Sequence, residues 1–227
     1  MDLKSQDMGK DMSMSETGEN TGTSRDVLAS MCSAASTWSK LKENAEVVFL
    51  SEVAIQTLLT SHILTHDNLG SAAAYLLASD LSCSELSAES WTAILGPYFT
   101  ENNVYDDSWG PVLKLIAFDL EAILARDPAA YDYVSSFLYF KGFKAILSHR
   151  AAHMLWKDNR KLLALKVQSA CSQRCAVDIH PGAVIGPGIL LDHVRTTFNL
   201  SMWREYSKNI TYALLLTPWT GDGGCDW

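Results

Sequence analysis

The sequence predicts a mainly α-helical protein: an N-terminal multi-helix domain followed by the incomplete start of a left-handed parallel β-helix built from hexapeptide repeats. Three observations predict it. From Asp26 to about Val177 apolar residues recur at spacings of three and four, as in Leu113, Ile116, Leu120, Ile123 and Leu124, which is the period of one helix face. Ile179, Ile185 and Leu191 then recur every sixth residue with glycine and small side chains between them, the pattern of a hexapeptide coil whose aliphatic residues point inward at the corners. The sixth positions after Leu191 are Thr197, Trp203 and Asn209, so the aliphatic register stops there.

Taken in order, residues 1–25 are rich in Ser, Thr, Gly, Asp and Met without apolar periodicity and read as a disordered tail. Residues 26–175 form the helical domain, with helices expected near 26–44, 46–64, 68–80, 87–99, 110–125, 128–139, 142–157 and 159–175. Val47, Leu50, Val53, Ala54, Leu58 and Leu59 supply the apolar stripe of the second. Gly110-Pro111 and Asp127-Pro128 open two of the others. Residues 176–193 form the partial β-helix, and residues 194–227 a divergent tail whose aromatic residues follow no consistent period.

At 227 residues the chain is long enough to bury a substantial core. Its formal net charge of −8 argues against nucleic acid or an anionic membrane surface as partner. No apolar run approaches the roughly twenty residues that span a bilayer. Asp2, Asp7, Asp11, Glu16 and Glu19 precede the first arginine, Arg25, unlike an organelle transit peptide, which favours a cytoplasmic location.

Five cysteines without framework spacing are expected to be reduced thiols. Cys171 and Cys175 lie four apart on a predicted helix and share a face, with no further ligand pattern converging on them to make a metal site. The pairs His62 with His66 and His149 with His153 also stand four apart, but neither has a third ligand, so packing or subunit contact is the expectation and no metal is assigned.

Hexads alone fit any acyltransferase of the β-helix type or a carbonic-anhydrase-like trimer. Between about Trp38 and His193, however, Asp127-Pro128-Ala129-Ala130, Tyr139-Phe140-Lys141-Gly142-Phe143, His149-Arg150-Ala151-Ala152-His153-Met154-Leu155-Trp156, Asp178-Ile179-His180-Pro181-Gly182-Ala183 and Gly188-Ile189-Leu190-Leu191-Asp192-His193 follow one another. In this order they resemble the serine O-acetyltransferases. The later motifs of that family, an Ala-Thr-Gly segment, Gly-Glu-Thr, a Gly-Gly-Thr-Gly-Lys loop and Arg-His-Pro, do not follow Val194.

The resemblance implies acetyl transfer from acetyl-CoA, a co-substrate rather than a bound cofactor, to the hydroxyl of L-serine on the route to cysteine. An alcohol is a poor nucleophile at neutral pH, so a positioned base must take its proton. His193 matches the family's catalytic histidine and Asp178 the carboxylate that orients it, while Asp127 and Asp192 match positions that hold serine through its ammonium group. Read without the family, Asp127 is a helix N-cap before a proline at the first helical position, Asp178 a partner of junction amides, His193 a surface residue beside a turn, and His180 structural.

Assembly into trimers or hexamers is implied by the resemblance. A complex with the partner sulfhydrylase is not expected, because the chain ends Cys225-Asp226-Trp227 where family tails end in isoleucine. With the acetyl-CoA surface of the β-helix missing from the pattern, activity is expected to be impaired. The alternative is a non-catalytic helical oligomerisation or regulatory protein that associates with full-length serine acetyltransferase.

Overall fold

In the computed structural model the described residues are 33–106, 109–191 and the backbone of 198–199. The sequence expectations for residues 1–25, for Asp192 and His193, and for nearly all of the tail lie outside them. Helix α1, Ala34–Ser51, is capped by Ser33, whose Oγ accepts from the Ser36 amide at 3.1 Å. It buries Trp38, Leu41 and Ala45.

The continuous second helix expected over 46–64 is not found. Glu52 leaves the helical region (φ −130°) and its carboxylate accepts from the Ala54 amide, which ends α1 and starts a 3₁₀ turn, Val53–Ile55. The short α2, Gln56–Leu59, then passes into a π turn over Thr60–Leu64. Thr60, Ser61 and Thr65 hydroxyls bond the Gln56, Leu58 and Thr60 carbonyls, competing with the regular helix ladder. Leu59 is buried and Leu58 packs against the core, but Val47, Leu50 and Val53 are 62 %, 83 % and 74 % exposed, so the expected stripe faces this chain's core only at its end.

Helix α3, Leu69–Leu81, begins with an Asn68–Ser71 capping box, and α4, Ala88–Leu95, with Ser87. A hairpin of β1, Val104–Asp106, and β2, Gly110–Pro111, replaces the expected start of a helix at residue 110; Gly110 has φ +78°, a conformation that favours glycine. Helix α5, Val112–Arg126, follows directly. Helix α6, Tyr133–Tyr139, starts five residues later than expected, and its N-cap is Asp132, not Asp127. Helices α7, Lys141–Lys157, and α8, Lys161–Cys175, match their expected positions closely.

Helix α7 is the centre of the domain. Buried from Gly142 to Ala152 except at Lys144, it packs along α8 and against α3, α5 and α6. Across the outer layer, the Glu121 carboxylate accepts from Thr37, Lys40 and Tyr133, tying α1, α5 and α6 together.

Past α8 the chain turns through Ala176 in the left-handed conformation (φ +58°) into β3, Val177–Asp178, which pairs in parallel with β4, Phe198–Asn199. Between them runs a coil of turns whose residues Ile179, Ile189 and Leu191 are buried against the helices, while Ile185 is half-buried. The described residues therefore show a mainly helical protein with one parallel rung, and a finished β-helix is not seen among them. No helix among them is long and apolar enough to cross a membrane.

Candidate active site

The coil from Ile179 to Leu191 is seated on the helical domain by a buried charge pair. An acid on the apolar stripe of α5, Asp119, meets Arg150 from the middle of α7: Nε lies 3.1 Å from Oδ2 and Nη2 3.2 Å from Oδ1, with both side chains sealed from solvent. The rest of the guanidinium donates to the coil, Nη1 to the Ile185 carbonyl and Nη2 to that of Gly186 at 2.6 Å. In return the Ile189 amide donates to Asp119 Oδ1 at 2.9 Å.

Burial pushes the Asp119 carboxyl upward. Burial also works against the Arg150 charge, but the attraction of Asp119 and Tyr105 outweighs it and holds the guanidinium protonated. With three N–H donors converging on the carboxylate, the ionised pair is the state the geometry fits.

Tyr105 from β1 lies under Arg150, ring centroid to Cζ 4.9 Å, and its hydroxyl accepts from the Ile185 amide at 3.3 Å. The same hydroxyl is 3.3 Å from His149 Nε2, and His153 Nδ1 donates to the Pro181 carbonyl at 2.8 Å. Burial first, then the neighbouring Arg150 charge, push His149 well below the usual histidine range, so it is neutral. The pair His149 and His153 thus serves packing and coil attachment.

His62 and His66 instead cap their own turn, bonding the Leu58 and Ser61 carbonyls and resting on Tyr75. Among the described residues no group of three or more His, Cys, Asp or Glu side chains could hold a metal ion.

Asp178 sits on β3 at the entry to this coil, half-buried, and accepts from Gln168 Nε2 at 2.5 Å. Asp127 ends α5: its amide donates to the Ile123 carbonyl and its Oδ1 accepts from the Ala129 amide at 2.9 Å, so it shapes the turn after α5 instead of capping α6. Its neighbour Arg126 donates to the Gly188 carbonyl at 2.9 Å, which ties the Asp127 turn to the far end of the coil.

Leu191, the last described coil residue, packs so closely on α7 that a Cβ at Gly142 would stand 1.9 Å from its carbonyl oxygen. Asp192 and His193 follow it directly but are outside the described residues. His180 accepts from the Gly182 amide and packs edge-on against Trp156, consistent with a structural part.

The family described as "Serine acetyltransferase, N-terminal" matches residues 37–148. Serine acetyltransferase 1, chloroplastic, of Arabidopsis thaliana is 40 % identical over 156 residues, which are 69 % of this chain and 48 % of that protein. This chain belongs to the serine acetyltransferase family.

Solved members share the fold of the part that superposes. A serine acetyltransferase in complex with CoA superposes with a TM-score of 0.65 at 37 % identity, over 71 % of this chain and 66 % of that one. Soybean serine acetyltransferase complexed with serine gives 0.64 at 35 % identity, over 71 % and 63 %. This serine acetyltransferase homologue spans about half the length of the curated relatives it matches.

Asp119, Arg150, Tyr105 and Gly142 are the coil-seating residues that sequence reasoning does not single out. A signal was present for the first two. Asp119 falls on the buried stripe between Ile116 and Ile123, where an acid requires a cationic partner, and Arg150 lies mid-helix in α7 between Ala145-Ile146-Leu147 and Ala151-Ala152.

Proposed function

We propose that the chain acts as a serine O-acetyltransferase, moving the acetyl group of acetyl-CoA to the hydroxyl of L-serine to give O-acetylserine for cysteine biosynthesis. The observation that carries this reading is the clamped junction: Asp178 stands where the coil leaves α8, and Arg150, Asp119 and Arg126 fix that coil at three points. Family relatives whose structures were solved with CoA and with serine support the substrates.

On this reading His193 takes the serine hydroxyl proton as the carbonyl is attacked, and Asp178 holds the imidazole in its working orientation and supports its positive charge. Asp127 and Asp192 hold the serine ammonium group. Acetyl-CoA is a co-substrate and no bound cofactor is required. Because the aliphatic register stops after Leu191, the surface for the pantetheine arm is incomplete and turnover by this chain alone is weak.

A second reading is favoured by one observation. Val47, Leu50 and Val53 form an exposed apolar patch at the end of α1, which fits a helical oligomerisation module that joins trimers or hexamers of itself or of a full-length serine acetyltransferase. A CoA-release assay with serine and acetyl-CoA separates the two. Serine-dependent release that is lost in His193→Ala supports the enzyme, whereas no release, together with co-elution with a full-length member, supports the module.

A further inference from the structure

Cys171 and Cys175 flank the last turn of α8, and neither has a part in the proposed acetyl transfer. Both face the α7 interface, 7 % and 6 % exposed, and Cys171 Sγ is 3.9 Å from the Ala145 carbonyl. We propose that these two thiols are a redox-modification site: a hydroperoxide converts them to a disulfide within α8, and closing that bond shifts the β3 segment that carries Asp178.

Helix geometry puts residues four apart on one face with Cα atoms about 6 Å apart. That lies inside the 4.4–6.8 Å range of disulfides, but the Cβ atoms must close to about 4 Å. The turn must therefore tighten, and its position allows this. Cys175 is the last residue of α8, followed by Ala176 in the left-handed conformation and then by β3. The displacement has a short path to Asp178, whose carboxylate is bonded to Gln168 of the same helix.

The two thiols are also unequal. The Cys171 thiol donates to the Ala145 carbonyl, and the neighbouring Cys175, with burial adding, raises it. The neighbouring Cys171 lowers Cys175 against the effect of burial, with Asp80 opposing and Lys144 and Lys141 assisting. Cys175 is thus the nucleophile and Cys171 the resolving thiol.

In the first step the Cys175 thiolate attacks one oxygen of the hydroperoxide. The S–O bond forms, the O–O bond breaks, and the alkoxide, or hydroxide from hydrogen peroxide, leaves with a proton. Cys171 sulfur then attacks Cys175 sulfur; the S–S bond forms, the S–O bond breaks, and the hydroxide departs as water with the Cys171 proton. Two thiols and one hydroperoxide give one disulfide, one alcohol or water, and one further water.

The test uses the full chain treated with hydrogen peroxide, alkylated and cut with trypsin. Cleavage after Lys166, Arg174 and Arg195 places Cys171 and Cys175 on separate peptides, 167–174 and 175–195. The expected product is these two peptides joined in the monomeric chain, less two hydrogens, and separated again by dithiothreitol. Cys171→Ser should leave Cys175 as a sulfenic acid or a higher oxide. Hydrogen exchange across residues 176–178 should change about tenfold on oxidation and recover on reduction.

Alkylation of both cysteines at peroxide doses that already consume exposed Cys83 overturns the site, as does bonding of Cys175 to any other cysteine. A joined pair with unchanged exchange at 176–178 overturns the coupling to β3. These readouts do not involve acetyl transfer, so they stand apart from any failure of the proposed activity.

Discussion

Arg150 of α7 and Asp119 of α5 form an ion pair at 3.1 Å that is shut off from solvent, and the same guanidinium carries two carbonyls of the coil. The pair therefore links helix packing to coil position. Arg150→Ala leaves a buried carboxylate with the Ile189 amide but no cation and takes a donor from two part-buried carbonyls, and should cost about 3–5 kcal/mol. Arg150→Lys should recover little, since an ammonium cannot reproduce the planar fork. The apolar double variant Asp119→Leu/Arg150→Met should regain most of the stability in urea unfolding, yet exchange at the Ile185 and Ile189 amides should stay fast. Protected amides there would show that the pair is not what seats the coil.

The pH dependence of stability follows from His149. Burial, and then Arg150, hold its folded pKa well below the ordinary value, and burial lowers His62 in the same direction. Below about pH 6.5 the unfolded chain takes up protons that the folded chain refuses, so stability is full above that pH and falls as pH drops toward the folded values. The slope should reach at most about 1.4 kcal/mol per pH unit for each such histidine. Melting temperatures read between pH 7.5 and 5 should show the decline, and His149→Gln should flatten it. An unchanged slope in that variant would move the effect to other groups.

Gly142 and Gly96 form a matched pair of tests. A Cβ at Gly142 meets the Leu191 carbonyl oxygen at 1.9 Å, whereas nothing lies within 4 Å of one at Gly96. Gly142→Ala should push the end of the coil off α7 and cost about 1–3 kcal/mol as overpacking; Gly96→Ala should be neutral or slightly stabilising. Thermal unfolding of both variants decides it, and equal melting temperatures would mean that the coil gives way freely at Leu191.

Much of the helical domain is legible because its signals are local. The stripe of α5 and the apolar run of α7 need only their period, and Pro111 only its ring. The end of α1 is not legible, because Val47, Leu50 and Val53 continue the helical spacing while Glu52 breaks the backbone, and periodicity cannot tell a face turned to the core from one turned to solvent. The turn after Asp127 is misread for a related reason. Asp127-Pro128 and Asp132 are both good starts, and α6 begins at the second, where the Asp132 carboxylate reaches the Ser135 amide at 2.6 Å. For the site, motif order points to Asp178 and Asp127, but the coil clamp joins α5 to α7 across 31 positions of sequence, and pairings at that distance leave no spacing to read.

The assigned roles predict an ordered series in the CoA-release assay, run on the chain alone and after mixing with a full-length member. His193→Ala should remove most of whatever serine-dependent activity is present, since loss of a positioned general base costs on the order of a hundredfold or more. Asp178→Asn should cost less, because the imidazole remains; Gln168→Ala, which removes the bond to Asp178, should cost less again. Asp127→Ala should act chiefly on the serine KM, with a small loss of stability from the Ala129 amide bond. Arg126→Ala should raise the serine KM in parallel, because it frees the Asp127 turn from Gly188. A serine KM unmoved by both Asp127→Ala and Arg126→Ala would place the ammonium site elsewhere, and activity indifferent to His193→Ala would remove that histidine from the chemistry.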